Sequence, residues 1–148
     1  MPADDPAAKT MNGPAPTLRR KILIADDAFD SRQLLTRLLG RLADADVHEA
    51  RDGVAANQEY LITRPQITFL DIEMPERNGL DVLREIRRGD PQSFVVIVSG
   101  FGALERVQAA IELGVNGFVV KPYSERRILD VLRKYVAETG DSGLLREA

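Results

Sequence analysis

Residues 67–79, Ile-Thr-Phe-Leu-Asp-Ile-Glu-Met-Pro-Glu-Arg-Asn-Gly, constrain the fold more than any other stretch. The apolar, partly β-branched run 67–70 has strand length and stops abruptly at a carboxylate, Asp71. A loop with Pro75, Asn78 and Gly79 follows, and helical periodicity begins at Leu80. Strand, acid at its tip, loop and helix is how an open α/β sheet presents a reactive group at the carboxyl end of a strand. Taken alone, Asp71 could merely open a turn; the rest of the chain decides, because it supplies partners at equivalent places.

The run 22–25 reads as a buried strand and ends at Asp26-Asp27. Residues 46–50 alternate polar and apolar, as a half-exposed edge strand does. The run 94–99 is a buried strand tipped by Ser99, and 117–120 is another, tipped by Lys121-Pro122. Helical spacing fills the intervals. A helix starting at Asp30-Ser31 carries Leu34, Leu35, Leu38, Leu39 and Leu42 on one broad face. A second runs from Gly53 to about Thr63 with Ala56, Tyr60 and Leu61 inward. A third opens at Gly79 with Leu80, Val82, Leu83 and Ile86, and Gly89-Asp90-Pro91 ends it. A fourth spans about 103–113, with the stripe Leu104, Val107 and Ile111 expected mainly in the core and Gly114 as its cap. The last spans about 124–137, with Ile128, Leu129, Leu132 and Val136 inward. Strict strand–helix alternation predicts an α/β fold, a parallel sheet with helices on both faces and right-handed crossovers.

At 148 residues the chain has room for one domain. Pro2, Pro6, Pro14 and Pro16 mark residues 1–18 as a disordered tail. Gly140 and Gly143 suggest that 139–148 fray, which leaves 19–138 as the folded unit. The absence of cysteine excludes disulfides, a thiolate nucleophile and a cysteine zinc site. A net charge of −3 argues against direct nucleic-acid binding. No signal-peptide pattern and no apolar run of the ~20 residues needed to span a bilayer occur, so a cytoplasmic protein is expected. His48, the only histidine, is expected at the surface of the edge strand rather than as a phosphoryl carrier.

Parallel strands bring Asp26, Asp27, Asp71, Ser99 and Lys121 to one rim. Crowded carboxylates repel and raise one another's pKa, and a bound hard cation relieves that repulsion. Mg²⁺ fits, because it takes one or two carboxylates plus water and phosphate oxygens. The Lys121 ammonium and the Ser99 hydroxyl complete a set suited to a phosphoryl group arriving on a carboxylate. A carboxylate can accept that group covalently as an aspartyl-phosphate.

In the segments 22–27, 69–79, 95–100 and 117–123, taken together and in order, the chain resembles the receiver domain of bacterial two-component response regulators over about residues 20–138. The resemblance implies a flavodoxin-like, CheY-like five-stranded parallel sheet of order 2-1-3-4-5. It implies that Asp71 is the phosphoacceptor and that Mg²⁺ is held by Asp26 partly through water, by Asp27 directly, by Asp71 and by the backbone carbonyl of Glu73. The Glu73 side chain is then free at the rim to tune access of water or phosphodonor. Ser99 becomes the switch hydroxyl, Gly100 the gap for the phosphoryl group, Phe118 the switch aromatic and Lys121 the phosphoryl bridge, with a cis Lys121–Pro122 bond. Four positions depart from, or vary within, the family pattern. Ser99 stands where Thr is commoner, and Gln66 where Asp is frequent. Phe101 and Glu73 occupy positions that modulate dephosphorylation.

The expected function is a stand-alone phosphoacceptor switch in a phosphorelay, not an enzyme beyond self-phosphorylation and autodephosphorylation. The donor would be a histidine kinase or histidine phosphotransfer protein. The output would be a downstream protein bound at the face of helix 4, strand 5 and helix 5, by a monomer or weak dimer. The alternatives are an excised receiver of a longer regulator, a receiver that binds partners without phosphorylation, and a haloacid-dehalogenase-like phosphatase. The last fits poorly, since its nucleophile resembles a first-strand element with the paired acids late.

Overall fold

The computed structural model describes residues 19–100 and 104–146. The elements are β1 (Lys21–Ala25), α1 (Phe29–Leu42), β2 (Asp46–Ala50), α2 (Gly53–Thr63), β3 (Ile67–Asp71), α3 (Gly79–Gly89), β4 (Phe94–Ser99), α4 (Leu104–Glu112), β5 (Gly117–Val120) and α5 (Glu125–Thr139). The strands form one five-stranded sheet of order β2-β1-β3-β4-β5, and every pairing is parallel. The expected fold class is therefore the one observed.

Alternation along each strand splits the apolar residues between two cores. Ile22, Ile24, Phe69, Val96 and Val98 pack under α1 and α5, against Leu35, Leu38, Leu39, Ile128 and Leu132. Leu23, Ala25, Leu70, Val95 and Ile97 pack on the other face, against Tyr60 of α2, Val82, Leu83 and Ile86 of α3, and Ala110 of α4. Each fully buried aliphatic side chain contributes ~1.5–3 kcal/mol relative to exposure. Burial on both faces is what turns the strands into near-continuous apolar runs. Side-chain caps at Asp52, Asn78 and Ser124 accept from the backbone N–H of Ala55, Asp81 and Arg127 and start α2, α3 and α5.

Register fixes which residues share a rim. Ala25 lies beside Leu70, Asp71 beside Val98 and Ser99 beside Val120. The last residues of β1, β3, β4 and β5 thus share one edge.

Several helix positions differ from expectation. Leu61 is 63% exposed and Ile111 is 62% exposed, and Leu34 also faces solvent. Among the described side chains of α4, Ala110 is buried and Val107 half-buried; Leu104, also expected in the core, lies outside them. Outer helices cover the sheet over a narrow arc, so apolar residues at its margin stay wet. Helix α1 starts at Phe29, ahead of Asp30, with no side-chain cap. The opposite end of α4 is tightly held. Arg87 of α3 donates to the carbonyls of Ser93 (2.6 Å), Leu113 (3.0 Å) and Gly114 (2.7 Å). Gly114 itself has φ +76°, which glycine adopts without strain.

The segment after α5, expected to fray, is instead packed as far as residue 146. Ser142–Leu144 form a 3₁₀ turn, Leu144 is fully buried, and Leu145 bridges to Ala43. Asp141 anchors it. Its carboxylate accepts from Arg20 Nε (3.0 Å) and Nη2 (2.8 Å) and from the Tyr135 hydroxyl (2.9 Å). Residues 1–18 and 101–102, for which a tail and a loop are expected, lie outside the described residues.

The Arg20 guanidinium hydrogen bond holds the Asp141 carboxyl below its ordinary pKa, against a smaller opposing effect of burial. A lowered folded-state pKa contributes stability above the unfolded value of ~3.9 and loses it as the pH falls through the folded value. Asp141→Asn is therefore expected to lower stability by about 1 kcal/mol at pH 7 and by progressively less below pH ~4, checked by urea unfolding at both pH values.

Candidate functional site

The tips of β1 and β3 are fixed by local bonds. The Asp26 carboxylate accepts the Ala28 N–H at 2.9 Å, and Arg32 Nη1 donates to the Asp26 carbonyl at 2.8 Å. Arg32 Nε is in turn bonded to Glu49 at 2.8 Å, which ties the β1 tip to β2. On β3, the Glu73 N–H donates to Asp71 Oδ1 at 3.0 Å. Gly79 allows the loop to close there. A Cβ on it would lie 2.2 Å from the Asp71 carbonyl oxygen and 2.7 Å from Ile72 Cα, both backbone atoms.

Asp26, Asp27 and Asp71 each present a carboxylate oxygen, and all these oxygens lie within 4.8 Å of one another. Asp26 and Asp71 are buried and Asp27 is exposed. Lys121 Nζ stands 2.9 Å from Asp26 Oδ2 and donates to Asp71 Oδ2 at 3.0 Å. The Lys121 N–H meanwhile donates to the Ser99 carbonyl at 2.8 Å, joining β4 and β5 behind the site. The Lys121–Pro122 bond is cis, as the resemblance implies.

Burial pushes the Asp71 carboxyl up to about 6, and the Asp26 charge adds to it, while the Lys121 and Glu73 hydrogen bonds oppose the rise. Burial works to lower the Lys121 ammonium, but its bonds to Asp26 and Asp71 outweigh this and its pKa is raised. One ammonium faces three carboxylates here. The surplus of negative charge and the all-oxygen donor set fit a small hard cation. The residues expected at the site from sequence are thus brought together, with distinctions. Ser99 is buried at the β4 tip, but its hydroxyl donates to the Gly100 carbonyl at 3.1 Å rather than to Asp71. Phe118 is half-buried on β5, packed toward the α2–α3–α4 core. The Glu73 side chain is exposed and forms an ion pair with Arg106 of α4.

Arg32, Arg106 and Tyr123 were not legible as site neighbours in the sequence. The Tyr123 hydroxyl, pushed up to about 12 mainly by burial, donates to the Ser31 carbonyl at 2.9 Å. Gln66 lies far from the rim, where its side chain accepts the Lys21 N–H.

The description "response regulator receiver domain" matches residues 22–133. The chain belongs to that family. The chemotaxis protein CheY of Thermotoga maritima is 34% identical to this receiver over 115 residues, which cover 78% of this chain and 96% of that protein. The CheY of Listeria monocytogenes is 37% identical over 114 residues, covering 77% and 96%. Among solved structures, the receiver domain of AraT, a response regulator from Geobacillus stearothermophilus, superposes with a TM-score of 0.75 at 26% identity, covering 84% of this chain and 97% of that one. Membership places the receiver in CheY-like two-component signalling, whose receivers are phosphoacceptor switches rather than turnover enzymes. The phosphatase alternative therefore falls away. Among the described residues, no helix is long and apolar enough to cross a membrane.

A raised folded-state pKa at Asp71 means that the carboxylate costs stability above pH ~6 and costs nothing below the unfolded value of ~3.9. In chelator-treated buffer at pH 7, Asp71→Asn is expected to be more stable than wild type by roughly 1–3 kcal/mol, and the gain to disappear at pH 4. Urea unfolding of both proteins at both pH values checks this.

Proposed function

We propose that this receiver accepts a phosphoryl group on Asp71 from a phosphohistidine of a histidine kinase or histidine phosphotransfer protein. The observation that carries the reading is the Lys121 ammonium bridging the buried carboxylates of Asp71 and Asp26, with Asp27 beside them. An Asp71 oxygen attacks phosphorus, the new P–O bond forms as the P–N bond breaks, and the imidazole leaves and takes up a proton. Asp26, Asp27, Asp71 and the Glu73 carbonyl are the groups that would hold Mg²⁺. When bound, that ion supplies charge neutralisation at the phosphoryl oxygens.

The protein's own residues do the rest. Lys121 already reaches Asp71, so its ammonium needs only a small displacement to meet a phosphoryl oxygen. Ser99 exchanges its weak bond to the Gly100 carbonyl for one to the phosphoryl group, and Phe118 turns into the space vacated beneath it. The half-buried state of Phe118 supports this, because an aromatic already part-way into a core needs little to complete its burial. The face of α4, β5 and α5 then changes its affinity for a downstream protein, in the cytoplasm and without contacting nucleic acid. Val120 and Ile111 lie exposed on that face.

Incubation with Mg²⁺ and acetyl phosphate, read by intact mass, tests the reading. Wild type is expected to gain one phosphoryl group and Asp71→Asn none. An unchanged wild-type mass under conditions where Mg²⁺ binds would overturn it.

A further inference from the structure

Among the described residues, arginines make contacts at both ends of helix α4. Its carboxyl end is locked by Arg87, whose guanidinium donates to the Leu113 and Gly114 carbonyls and also to Asn116 Oδ1 at 3.0 Å. In its first turn, Arg106 meets the carboxylate of Glu73 across a cleft of about 350 Å³ lined by Ile72, Glu73, Met74, Asn78 and Arg106. Both partners are half or more exposed, at 50% and 63%. The Glu73 backbone has no such freedom, because its N–H is bonded to Asp71 Oδ1. Only rotation of the side chain decides whether the Glu73 carboxylate faces Arg106 or the phosphoacceptor.

We propose that Arg106 is a positioning residue for Glu73, drawing its carboxylate onto α4 and away from the water that hydrolyses the Asp71 phosphoryl group. The inference rests on the phosphoacceptor reading above. Hydrolysis forms a bond from water oxygen to phosphorus and breaks the bond from phosphorus to the Asp71 oxygen. It releases inorganic phosphate and restores the carboxylate, and the water proton must go to a base. A Glu73 carboxylate turned toward Asp71 is two residues away and suited to take it. A Glu73 carboxylate paired with Arg106 has one oxygen engaged and its charge compensated. The pair therefore lengthens the phosphoryl lifetime, and does so only while the first turn of α4 stays in place. A partner that displaces that turn, pivoting it about the Arg87 lock, would release Glu73 and shorten the signal.

An exposed ion pair biases such an equilibrium by no more than about fivefold, which bounds the effect. The test uses the full chain, phosphorylated with acetyl phosphate and Mg²⁺, freed of donor and followed by intact mass as the group is lost. Arg106→Ala is expected to raise the dephosphorylation rate by about two- to fivefold, and Arg106→Lys to restore a rate near that of wild type. In a Glu73→Gln background, which leaves no carboxylate to release, Arg106→Ala is expected to change nothing. An unchanged rate in Arg106→Ala would overturn the proposal, and so would an equal acceleration with Gln at position 73. Failure of wild type to gain mass at all is a different result, and it would remove the phosphoacceptor reading together with this one.

Discussion

The contact of one ammonium with two buried carboxylates, Lys121 with Asp26 and Asp71, is what the rest of the structure makes possible. Asp71 ends β3, and Asp26 and Lys121 directly follow β1 and β5; they meet only because the sheet is parallel and its order places β3 between β1 and β4. A one-residue slip of any strand would turn its tip to the other face. The two-sided burial of β1, β3 and β4 does not resist such a slip by alternation, since both faces are apolar. Loop closure does so instead. Gly79 packs against the Asp71 backbone, and the Gly53 N–H reaches Pro75, which leaves the β3–α3 connection only one way to lie.

The site is costly to the fold. Two carboxylates lie buried with a third nearby, and the largest influence on Asp71 is the loss of water around its charge. The opposite edge of the sheet is assembled to different effect. There Gln66 closes on the Lys21 amide, and Arg20, Asp141 and Tyr135 join the start of β1 to the end of α5 with paired charges and satisfied donors. Paired charges and crowded carboxylates thus occupy opposite ends of the same strands. The carboxyl edge carries groups whose charge is left partly uncompensated, and at the amino edge Arg20, Asp141 and Tyr135 are paired with one another.

That division also explains what could be read from the sequence. Strands buried on both faces must be continuously apolar, so runs such as 94–98 and the polar residues that end them are visible without a structure. The chemistry sits at strand tips and was legible for the same reason. Helices were less so. Leu61, Ile111 and Leu34 fit an inward stripe by spacing, yet they lie at its margin and are exposed, while small Ala110 takes the close contact on α4. Spacing gives the direction of a face but not the width of sheet it covers. The packing of the segment 141–146 is not legible, because Gly140 and Gly143 suggest a loose end, whereas Asp141 is held by Arg20, which lies 121 residues earlier in the chain. Arg106 was invisible for a similar reason, because an arginine on an exposed helix turn acquires meaning only through what it meets.

What Arg106 meets bears on how a receiver can separate its two equilibria. If α4 were fixed at both ends as firmly as Arg87 fixes one, events at Asp71 could not reach the outer face without breaking several buried bonds. If it were free at both ends, the face would change without reference to Asp71. A helix locked at one end and bearing a surface ion pair in its first turn can lie between these limits. The pair is weak enough to exchange on the scale of the charge added by a phosphoryl group, ~1.5–2 elementary charges at neutral pH. It is also attached to a residue whose N–H already touches Asp71. Coupling of this kind needs no long path through the core, because the first turn of α4 and the tip of β3 are adjacent at the same rim.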